Sequence, residues 1–224
     1  MSDSLPTLAV LGGTGAEGSG LAFRWAHGGY PVILGSRSAE KAIAGAAELN
    51  ALLGRELVRG MDNLSAANAA DIVILTVPYA AQKSTITDVA AALDGKILVD
   101  VTVPLVPPKV NRVQLPADGS AVEAMQRLLG PSVRVVSAFQ NVPAHHLKDL
   151  HHTVECDVLV TGDDIVARET VITLAKAVGL RGLHAGPLCN SVVSEALTSV
   201  LISINQRYKI PGSGIRITGL PEQG

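Results

Sequence analysis

The residues between Gly12 and Gly18 have the composition and spacing of a phosphate-binding turn. Three glycines are spaced Gly13-x-Gly15-x-x-Gly18, directly after an apolar run that ends at Leu11. In the dinucleotide-binding fingerprint, the first glycine permits a tight turn, the second lets the backbone approach a pyrophosphate, and the third lets helix and strand pack closely. The phosphates lie against amides at a helix N-terminus, where the helix dipole favours negative charge. The candidate contacts are Gly13, Thr14, Gly15, Ala16, Glu17 and Gly18.

A second polar group, Ser36, Arg37 and Lys41, follows the next apolar run. A chain that binds NAD usually has an acidic residue about 20 residues after the glycines, which holds the free ribose 2′-hydroxyl. This corner instead offers a hydroxyl, a guanidinium and, one helical turn later, an ammonium group. Such donors suit a 2′-phosphate, so the residues predict NADP rather than NAD. The alternative is that Arg37 and Lys41 are solvated surface charges.

Small and mostly apolar residues follow three other predicted strands, at Thr76-Val77-Pro78, at Thr102-Val103-Pro104 and at 138–143. In doubly wound sheets, ligands bind outside the carboxyl ends of the strands. The segment 102–119 also contains four prolines, and long loops of this kind are often functional. We expect these segments to line one edge of the sheet, where they suit a flat aromatic ligand beside a nicotinamide.

The residue pattern along the chain predicts an α/β fold with a doubly wound, mostly parallel sheet of the Rossmann type. The strands and helices of this fold would position the residues named above. Apolar β-branched runs alternate with Ala-rich helical stretches, as in parallel sheets with crossover helices. The predicted strands are 7–11, 31–35, 57–60, 71–77, 96–101 and 133–137. The predicted helices are 16–27, 39–53, 63–69, 80–93 and 120–129.

The pattern changes after the sixth strand, which predicts a division into a dinucleotide-binding domain, 1–150, and a small C-terminal region, 151–224. That region of about 70 residues is small for an independent domain. We expect a strand at 156–161, a helix at 164–178 and a long helix at 190–208. The apolar stripe of the long helix is too broad for a lone surface helix, so we expect it to pack under the sheet edge, in a homodimer, or both.

Composition excludes several classes of protein. The net charge of −2 argues against a nucleic-acid or anionic-membrane surface. We expect no membrane span, since no run approaches the roughly 20 apolar residues that one needs, and no signal peptide. Cys156 and Cys189 lack metal-ligand spacing, and we interpret them as reduced thiols of a cytoplasmic protein.

The chain resembles the coenzyme F420-dependent NADP oxidoreductases nearly throughout its length. The resemblance rests on the glycine turn, on Gly35-Ser36-Arg37 with Lys41, and on four later segments that unrelated Rossmann proteins lack. Those segments are Val135-Val136-Ser137-Ala138-Phe139, Val142-Pro143-Ala144, Gly162-Asp163-Asp164, and Ala185-Gly186-Pro187-Leu188 with Asn190-Ser191. Members of this family move a hydride between C4 of NADP(H) and C5 of an 8-hydroxy-5-deazaflavin, coenzyme F420.

The resemblance also implies roles for individual residues. Thr14, Glu17, Ser36, Arg37 and Lys41 would contact NADP, and Thr76, Val77, Pro78 and Val103 would lie near its nicotinamide half. The residues that would contact the deazaflavin co-substrate are Val103, Pro104, Gln140, Asn141, Val142, Leu188 and Asn190. The family often carries histidine where this chain has Gln140, an amide that cannot become cationic.

Direct hydride transfer requires two rings held close, dry and oriented, so we expect neither a catalytic acid–base residue nor a metal. Tyr79-x-x-x-Lys83 matches the pair of short-chain dehydrogenases, but it follows the fourth strand directly, so we interpret it as coincidence. His145, His146, His151 and His152 lack acidic or thiolate partners at ligand spacing, which favours solvated or capping roles. Asp163 or Asp164 is expected to cap a helix, as are Asn190 and Ser191.

The sequence therefore predicts an NADP-dependent oxidoreductase that exchanges hydride with coenzyme F420. One alternative is a reductase of the same fold that acts on another small acceptor, such as an imine, a carbonyl or a flavin-like molecule. Gln140 is the residue that favours this alternative. The other is an NADP(H) sensor without turnover, which an exposed apolar patch outside a dimer contact would favour.

Overall fold

The computed structural model describes residues 4–220, which form one eight-stranded sheet with helices on both faces. Runs rich in Val, Ile and Leu form the central strands, because branched side chains pack well on a sheet that is covered on both faces. The strands are β1 Leu8–Leu11, β2 Val32–Ser36, β3 Val58–Asp62, β4 Ile72–Leu75, β5 Ile97–Asp100, β6 Arg134–Ser137, β7 Asp157–Gly162 and β8 Arg181–His184.

Seven α-helices connect or follow these strands. They are α1 Ala16–His27, α2 Ala39–Leu53, α3 Asn63–Ala69, α4 Tyr79–Val89, α5 Ala121–Leu129, α6 Ile165–Ala177 and α7 Ser191–Tyr208. Ser38, Asp62, Ser120 and Asp164 each accept a hydrogen bond from an amide in the first turn of the helix that follows. Such caps satisfy donors that the helix leaves unpaired, and they fix where each helix begins.

The strand order is β3-β2-β1-β4-β5-β6-β7-β8. Strands β1 to β6 pair in parallel, so their carboxyl ends meet at one edge. The chain crosses from β3 past β1 to β4, and this reversal creates a crevice between β1 and β4, where doubly wound sheets bind ligands. The predicted fold class is confirmed.

Two hydrophobic cores cover the two faces of the sheet. One lies under α1, α2 and α6 and includes Trp25, whose Nε1 donates to the carbonyl of Leu174 at 2.9 Å. The other lies under α3, α4 and α5 and includes Ile86 and Met125. Since β7 residues such as Val158 belong to the first core, the C-terminal region shares its packing with the strands before it. The predicted division at residue 150 stays a prediction.

The C-terminal region contains the main departures from the predicted elements. β8 was not predicted, because its four residues include Arg181, Gly182 and His184 and give no apolar run. β7 pairs antiparallel with β6, which makes the sheet mixed at this edge. The predicted strand 71–77 is shorter, ending at Leu75, because Thr76-Val77-Pro78 turns away toward α4.

Helix α7 packs through a buried carboxylate. Glu195 is 1% exposed and accepts hydrogen bonds from the Ser120 hydroxyl at 2.7 Å and from the Ala121 amide at 2.8 Å.

Within residues 4–220, the stretch Leu188–Tyr208 is the one helix long and apolar enough to cross a membrane, with a mean hydropathy of 1.3. Core helices satisfy the same criterion of length and composition, so the expectation that the chain has no membrane span stays a prediction.

Candidate active site

The glycine turn leaves β1 and enters α1 at the crevice between β1 and β4. Gly13 closes the tight turn, since its amide donates to the Val10 carbonyl at 3.1 Å, and a Cβ there would lie 2.6 Å from that oxygen. Gly12, which the fingerprint does not include, is also required, because it has the left-handed conformation with φ of +77°. The turn therefore needs two adjacent glycines.

Gly15 and Gly18 differ in what surrounds them. A Cβ on Gly18 would lie 2.4 Å from Thr76 Oγ1 and 2.9 Å from the Cα of Gly13, so this glycine lets α1 pack against the end of β4. A Cβ on Gly15 would meet only the Gly12 carbonyl, at 3.4 Å. The fold itself does not require a glycine at this position, and the open space in front of its backbone can receive a phosphate.

The N-terminus of α1 is available to an anion. Gly15 is the N-cap residue and provides no side-chain hydrogen bond to the first turn. The amides of that turn lack intrahelical acceptors and carry the positive end of the helix dipole. A pyrophosphate placed beside Gly15 would supply the missing acceptors.

Glu17 is the charged residue closest in sequence to this phosphate position. Its side chain is half-buried and has no hydrogen bond within residues 4–220. Burial raises the pKa of Glu17 to about 8, since desolvation disfavours the charged carboxylate. The carboxyl is therefore mainly neutral near pH 7, which removes a repulsion that a charged Glu17 would exert on a phosphate.

The carboxyl end of β2 places Ser36, Arg37 and Lys41 together. Ser36 is half-buried, and Arg37 and Lys41 are exposed without an ion pair in the described part of the chain. Ser38 starts α2 by accepting a hydrogen bond from the Lys41 amide at 3.3 Å. This cap places Lys41 in the first turn of the helix, above the corner that Arg37 forms.

Two carboxylates near this corner were not considered from the sequence. Glu40 is exposed and accepts a hydrogen bond from the Ser38 hydroxyl at 2.7 Å, which lowers the pKa of Glu40. Asp62 lies opposite Ser36 in the register of β2 and β3, and it caps α3 through the Ser65 amide at 2.9 Å. Both carboxylates are thus occupied by local hydrogen bonds.

The end of β4 forms the opposite wall of the crevice. The amide and the hydroxyl of Thr76 both donate to the Leu11 carbonyl at 2.9 Å, which holds this segment against the end of β1. Val77 packs against the turn, since a Cβ on Gly12 would lie 2.7 Å from Val77 Cγ1. Pro78 is exposed and precedes α4. The glycine turn and Thr76-Val77 are therefore in direct contact.

Asp100, which the sequence did not single out, organises the next part of the edge. It is fully buried at the end of β5 and accepts hydrogen bonds from Gln82 Nε2 at 2.6 Å and from the Thr102 amide at 2.9 Å. Burial raises its pKa, and these hydrogen bonds partly oppose the shift. They fix the start of the loop that carries Val103, which is half-buried, and Pro104, which is buried.

The loop after β6 carries three candidate residues in a constrained conformation. Phe139 has φ of +73°, which is unusual for a bulky residue and marks a strained turn. Its ring is buried edge-on against Trp25, with centroids 5.7 Å apart. This packing holds Phe139 in its strained conformation. It thereby fixes the position of the backbone that leads into Gln140 and Asn141.

Gln140 and Asn141 are both nearly buried and make several hydrogen bonds. Gln140 Nε2 donates to the Asp100 carbonyl at 2.9 Å and to Ser137 Oγ at 2.7 Å, while its Oε1 has no partner. Asn141 Nδ2 donates to the Ser194 carbonyl at 2.8 Å, which connects this loop to α7. Val142 is 8% exposed. Among residues 4–220, Gln140 Oε1 is thus a buried acceptor without a partner.

Leu188 and Asn190 have different surroundings from the other candidates. Leu188 is 1% exposed in the second core, and its amide donates to Asp163 Oδ1 at 2.9 Å. Asn190 is exposed, and its Nδ2 donates to the Ala185 carbonyl at 2.8 Å. Asn190 does not cap α7 with its side chain, so the expected capping role was wrong.

The sequence of this chain is similar to those of known proteins along almost its entire length. Residues 7–104 match the family described as NADP oxidoreductase coenzyme F420-dependent. The F420-dependent NADP reductase of Methanocaldococcus jannaschii is 43% identical over 95% of this chain and 98% of its own length. The reductase of Methanothermobacter marburgensis is 42% identical over 96% of this chain and 99% of its own.

The chain belongs to the coenzyme F420-dependent NADP oxidoreductase family. A solved structure from Arthrobacter sp. FB24, described as an F420-dependent NADP reductase, superposes with a TM-score of 0.79 at 27% identity. That match covers 95% of this chain and 99% of the other. An imine reductase from Myxococcus stipitatus superposes with a TM-score of 0.61, over 91% of this chain and 62% of the other, at 21% identity. At that identity the likeness shows the fold alone.

The other polar groups considered from the sequence have structural explanations in this family member. Asp164 caps α6 through the Ala167 amide at 2.7 Å, as predicted. The ring of His146 stacks on that of His152, with centroids 3.8 Å apart, and lies tilted by 46° against that of His145, with centroids 4.0 Å apart. Burial and the two neighbouring imidazoles lower the pKa of His146. These histidines therefore pack mainly against one another.

Proposed function

We propose that this chain transfers a hydride between NADP(H) and coenzyme F420, directly from ring to ring. The observation that carries this proposal is the identity of 41–43%, along almost the entire chain, to three F420-dependent NADP reductases. The geometry of the site supports this proposal both where NADP would bind and where the deazaflavin would bind.

The NADP end of the site would consist of the glycine turn and the corner after β2. The pyrophosphate would lie beside Gly15 on the first-turn amides of α1, where the backbone is open. Arg37 and Lys41 would bind the 2′-phosphate, since both are exposed and form no ion pair within residues 4–220. Arg37 can donate two parallel hydrogen bonds to a phosphate, and Lys41 adds a point charge.

The nicotinamide would extend along the carboxyl edge between the turn and Thr76-Val77-Pro78. Gly12 and Val77 are closely packed, so the turn and the end of β4 form a continuous surface in this part of the crevice. The deazaflavin would stack over the nicotinamide, bordered by Val103, Pro104, Gln140 and Val142. Asn141, Leu188 and Asn190 would support this border through α7 and the second core.

These residues would act by position rather than by proton transfer. NADPH supplies a hydride at C4 of its nicotinamide, and oxidised F420 accepts one at C5. The chain's part is to hold the rings in contact and to exclude water, which can account for much of the rate. Apolar residues such as Val77, Val103 and Val142 suit that task.

We further propose that the protein is a homodimer. The α7 face, which we define as Val193, Ala196, Leu197, Val200 and Ile204, follows the helical repeat and is incompletely covered. Val193 is 58% exposed and Val200 is 44% exposed. Such an apolar stripe favours a second copy as its cover.

The proposed location is the cytoplasm, without a nucleic-acid or membrane partner. Cys156 and Cys189 are both free, as expected where thiols stay reduced. The net charge of −2 also disfavours binding to polyanionic surfaces.

Mixing the purified protein with NADPH and oxidised F420 tests the proposed reaction. We expect loss of the visible absorbance of F420 with NADPH, and a much slower loss with NADH at equal concentration. If NADPH binds tightly and no F420 is reduced, the proposed acceptor is wrong.

A further inference from the structure

A groove between α1 and α2 opens beside the glycine turn and has a volume of about 380 Å³. Residues that line it include Gly13 and Thr14 of the turn, Ser19 on α1, Lys41 and Glu48 on α2, and Lys148. We call this the α1–α2 groove. Lys148 comes from the loop after β6, more than a hundred residues away in sequence, so no local motif could indicate its presence there.

The position of Lys148 is fixed by Arg24, a buried residue of α1. Arg24 Nε donates to the Leu147 carbonyl at 2.7 Å, and Arg24 Nη2 donates to the Asp149 carbonyl at 2.7 Å. Leu147 is fully buried beneath Gly20, where a Cβ would lie 2.5 Å from Leu147 Cβ. The backbone on both sides of Lys148 is therefore attached to α1, while Lys148 itself is exposed.

The walls of the groove carry more positive than negative charge. Lys41 and Lys148 contribute two ammonium groups, and neither forms an ion pair among residues 4–220. Glu48 is the single acidic residue in the lining, and it lies seven residues beyond Lys41 on α2, about 10 Å along the helix axis. The mouth at Lys41 is thus free of acidic lining residues and attracts an anion.

Helix α2 directs this mouth toward the glycine turn. A Cβ on Gly45 would lie 3.6 Å from Thr14 Cγ2, so this face of α2 packs against the turn. Lys41 lies one helical turn before Gly45 on the same face. An anion bound between Lys41 and Lys148 would therefore lie next to Thr14, and Arg37 precedes Lys41 by only four residues of the chain.

We propose that Lys148 is a further specificity-determining residue, which binds the 2′-phosphate of NADP together with Arg37 and Lys41. This inference rests on the proposed NADP site and adds to it a cation from the distant loop after β6. Arg24 acts as the positioning residue, since it holds the two peptide groups that flank Lys148. The consequence is that discrimination between NADP and NAD depends on two separate parts of the chain.

Binding of adenosine phosphates tests this role without any hydride transfer. Calorimetry with 2′,5′-ADP and with 5′-ADP compares ligands that differ only in the 2′-phosphate. For Lys148→Gln we expect about tenfold or more weaker binding of 2′,5′-ADP, as for the loss of one charged hydrogen bond. Binding of 5′-ADP should change less than twofold. Lys176→Gln, an exposed charge removed from α6, is the matched control and should change neither.

A double-mutant cycle shows whether Lys41 and Lys148 share the same group. We expect the effects of Lys41→Gln and Lys148→Gln on the Kd of NADPH to be non-additive, and each to change the Kd of NADH little. An equal loss for both dinucleotides, or no loss from Lys148→Gln, would overturn the role of Lys148. If the unmodified protein does not prefer 2′,5′-ADP to 5′-ADP, the NADP site itself is wrong, which is a separate outcome.

Discussion

We expect the charge of single residues to determine which dinucleotide this chain prefers. Arg37 is exposed at the end of β2 and has no carboxylate partner in the described chain. Replacing it with alanine would remove a charged donor from the proposed 2′-phosphate site, and the side chain is exposed, so no buried contact is lost. We expect Arg37→Ala to weaken NADPH binding by about 1.5–3 kcal/mol, or roughly ten- to a hundredfold. NADH binding should change little.

Titration of intrinsic protein fluorescence with NADPH and NADH would measure this selectivity. Arg59→Ala is the matched control, because Arg59 is also exposed but lies near the start of β3, opposite Ile33 rather than at the carboxyl end of β2. Equal losses for both dinucleotides in Arg37→Ala would contradict the assignment of Arg37 to the 2′-phosphate.

Glu17 gives the site a pH dependence whose sign follows from its pKa of about 8. The folded protein keeps a proton that the unfolded chain releases near pH 4.5, so the contribution of Glu17 to stability falls as pH rises through that window. Above about pH 8 the new negative charge also opposes phosphate binding. We expect NADPH affinity to fall above pH 8 and stability to fall between pH 5 and 8.

Glu17→Gln removes this titration while keeping the shape of the side chain. We expect the variant to bind NADPH with nearly constant affinity from pH 7 to 9 and to have a higher Tm than the unmodified protein at pH 8. Glu123→Gln, a solvent-accessible substitution on α5, should leave the pH profile unchanged. An unchanged profile in Glu17→Gln would refute the role of Glu17.

The sequence indicates which side chains could form the site better than it indicates the contacts that these side chains make. The spacing of Ser36, Arg37 and Lys41 is a local property: Ser36 ends β2, Arg37 follows it, and Lys41 lies in the first turn of α2. Their joint role in binding a phosphate stays a prediction. Asp100, Phe139 and Lys148 were missed, because their importance comes from partners far away in the sequence. Asp100, for example, depends on Gln82 and on Gln140.

At the scale of elements, the turn between β1 and α1 separates the requirements of folding from those of binding. Gly15 faces open space, whereas a Cβ on Gly18 would clash with Thr76 and Gly13. We expect Gly15→Val to abolish NADPH binding with a nearly unchanged Tm. Gly18→Ala should cost about 2 kcal/mol or more of stability because it forces α1 away from β4.

Thermal unfolding and NADPH binding, measured on both variants, would test this separation. The Tm of Gly18→Ala should fall by about 4–8 °C for a chain of this size. Each variant serves as the control for the other. Retained NADPH affinity in Gly15→Val would show that the turn is not the phosphate site.

Local sequence patterns predicted the helices and the central strands of this fold well. α1, α2 and α3 have the predicted bounds, since alternation of apolar segments with capped helices is encoded locally. β8 and the antiparallel pairing of β7 were not predictable in this way. Both depend on hydrogen bonds to the strands before them, which lie far away in the sequence. In addition, β8 has too few apolar residues for a local pattern to indicate a strand.

At the scale of the whole molecule, the α7 face is where a second copy would attach. We expect the unmodified protein to sediment as a dimer in analytical ultracentrifugation, and Val193→Glu to shift it toward the monomer, because a charge would be buried in the contact. Val166→Glu, which changes a similarly exposed valine on α6, is the control. A monomeric unmodified protein at micromolar concentration would contradict the dimer.

In the proposed reaction, the hydride passes directly between two rings that the protein holds together. NADPH labelled with deuterium at C4, prepared separately for each face, can be reacted with oxidised F420 in ordinary water. Mass spectrometry of the reduced F420 then reports the origin of the new hydrogen. We expect one of the two labelled forms to deliver its deuterium to F420 almost completely. Loss of the label to water with both forms would contradict direct transfer.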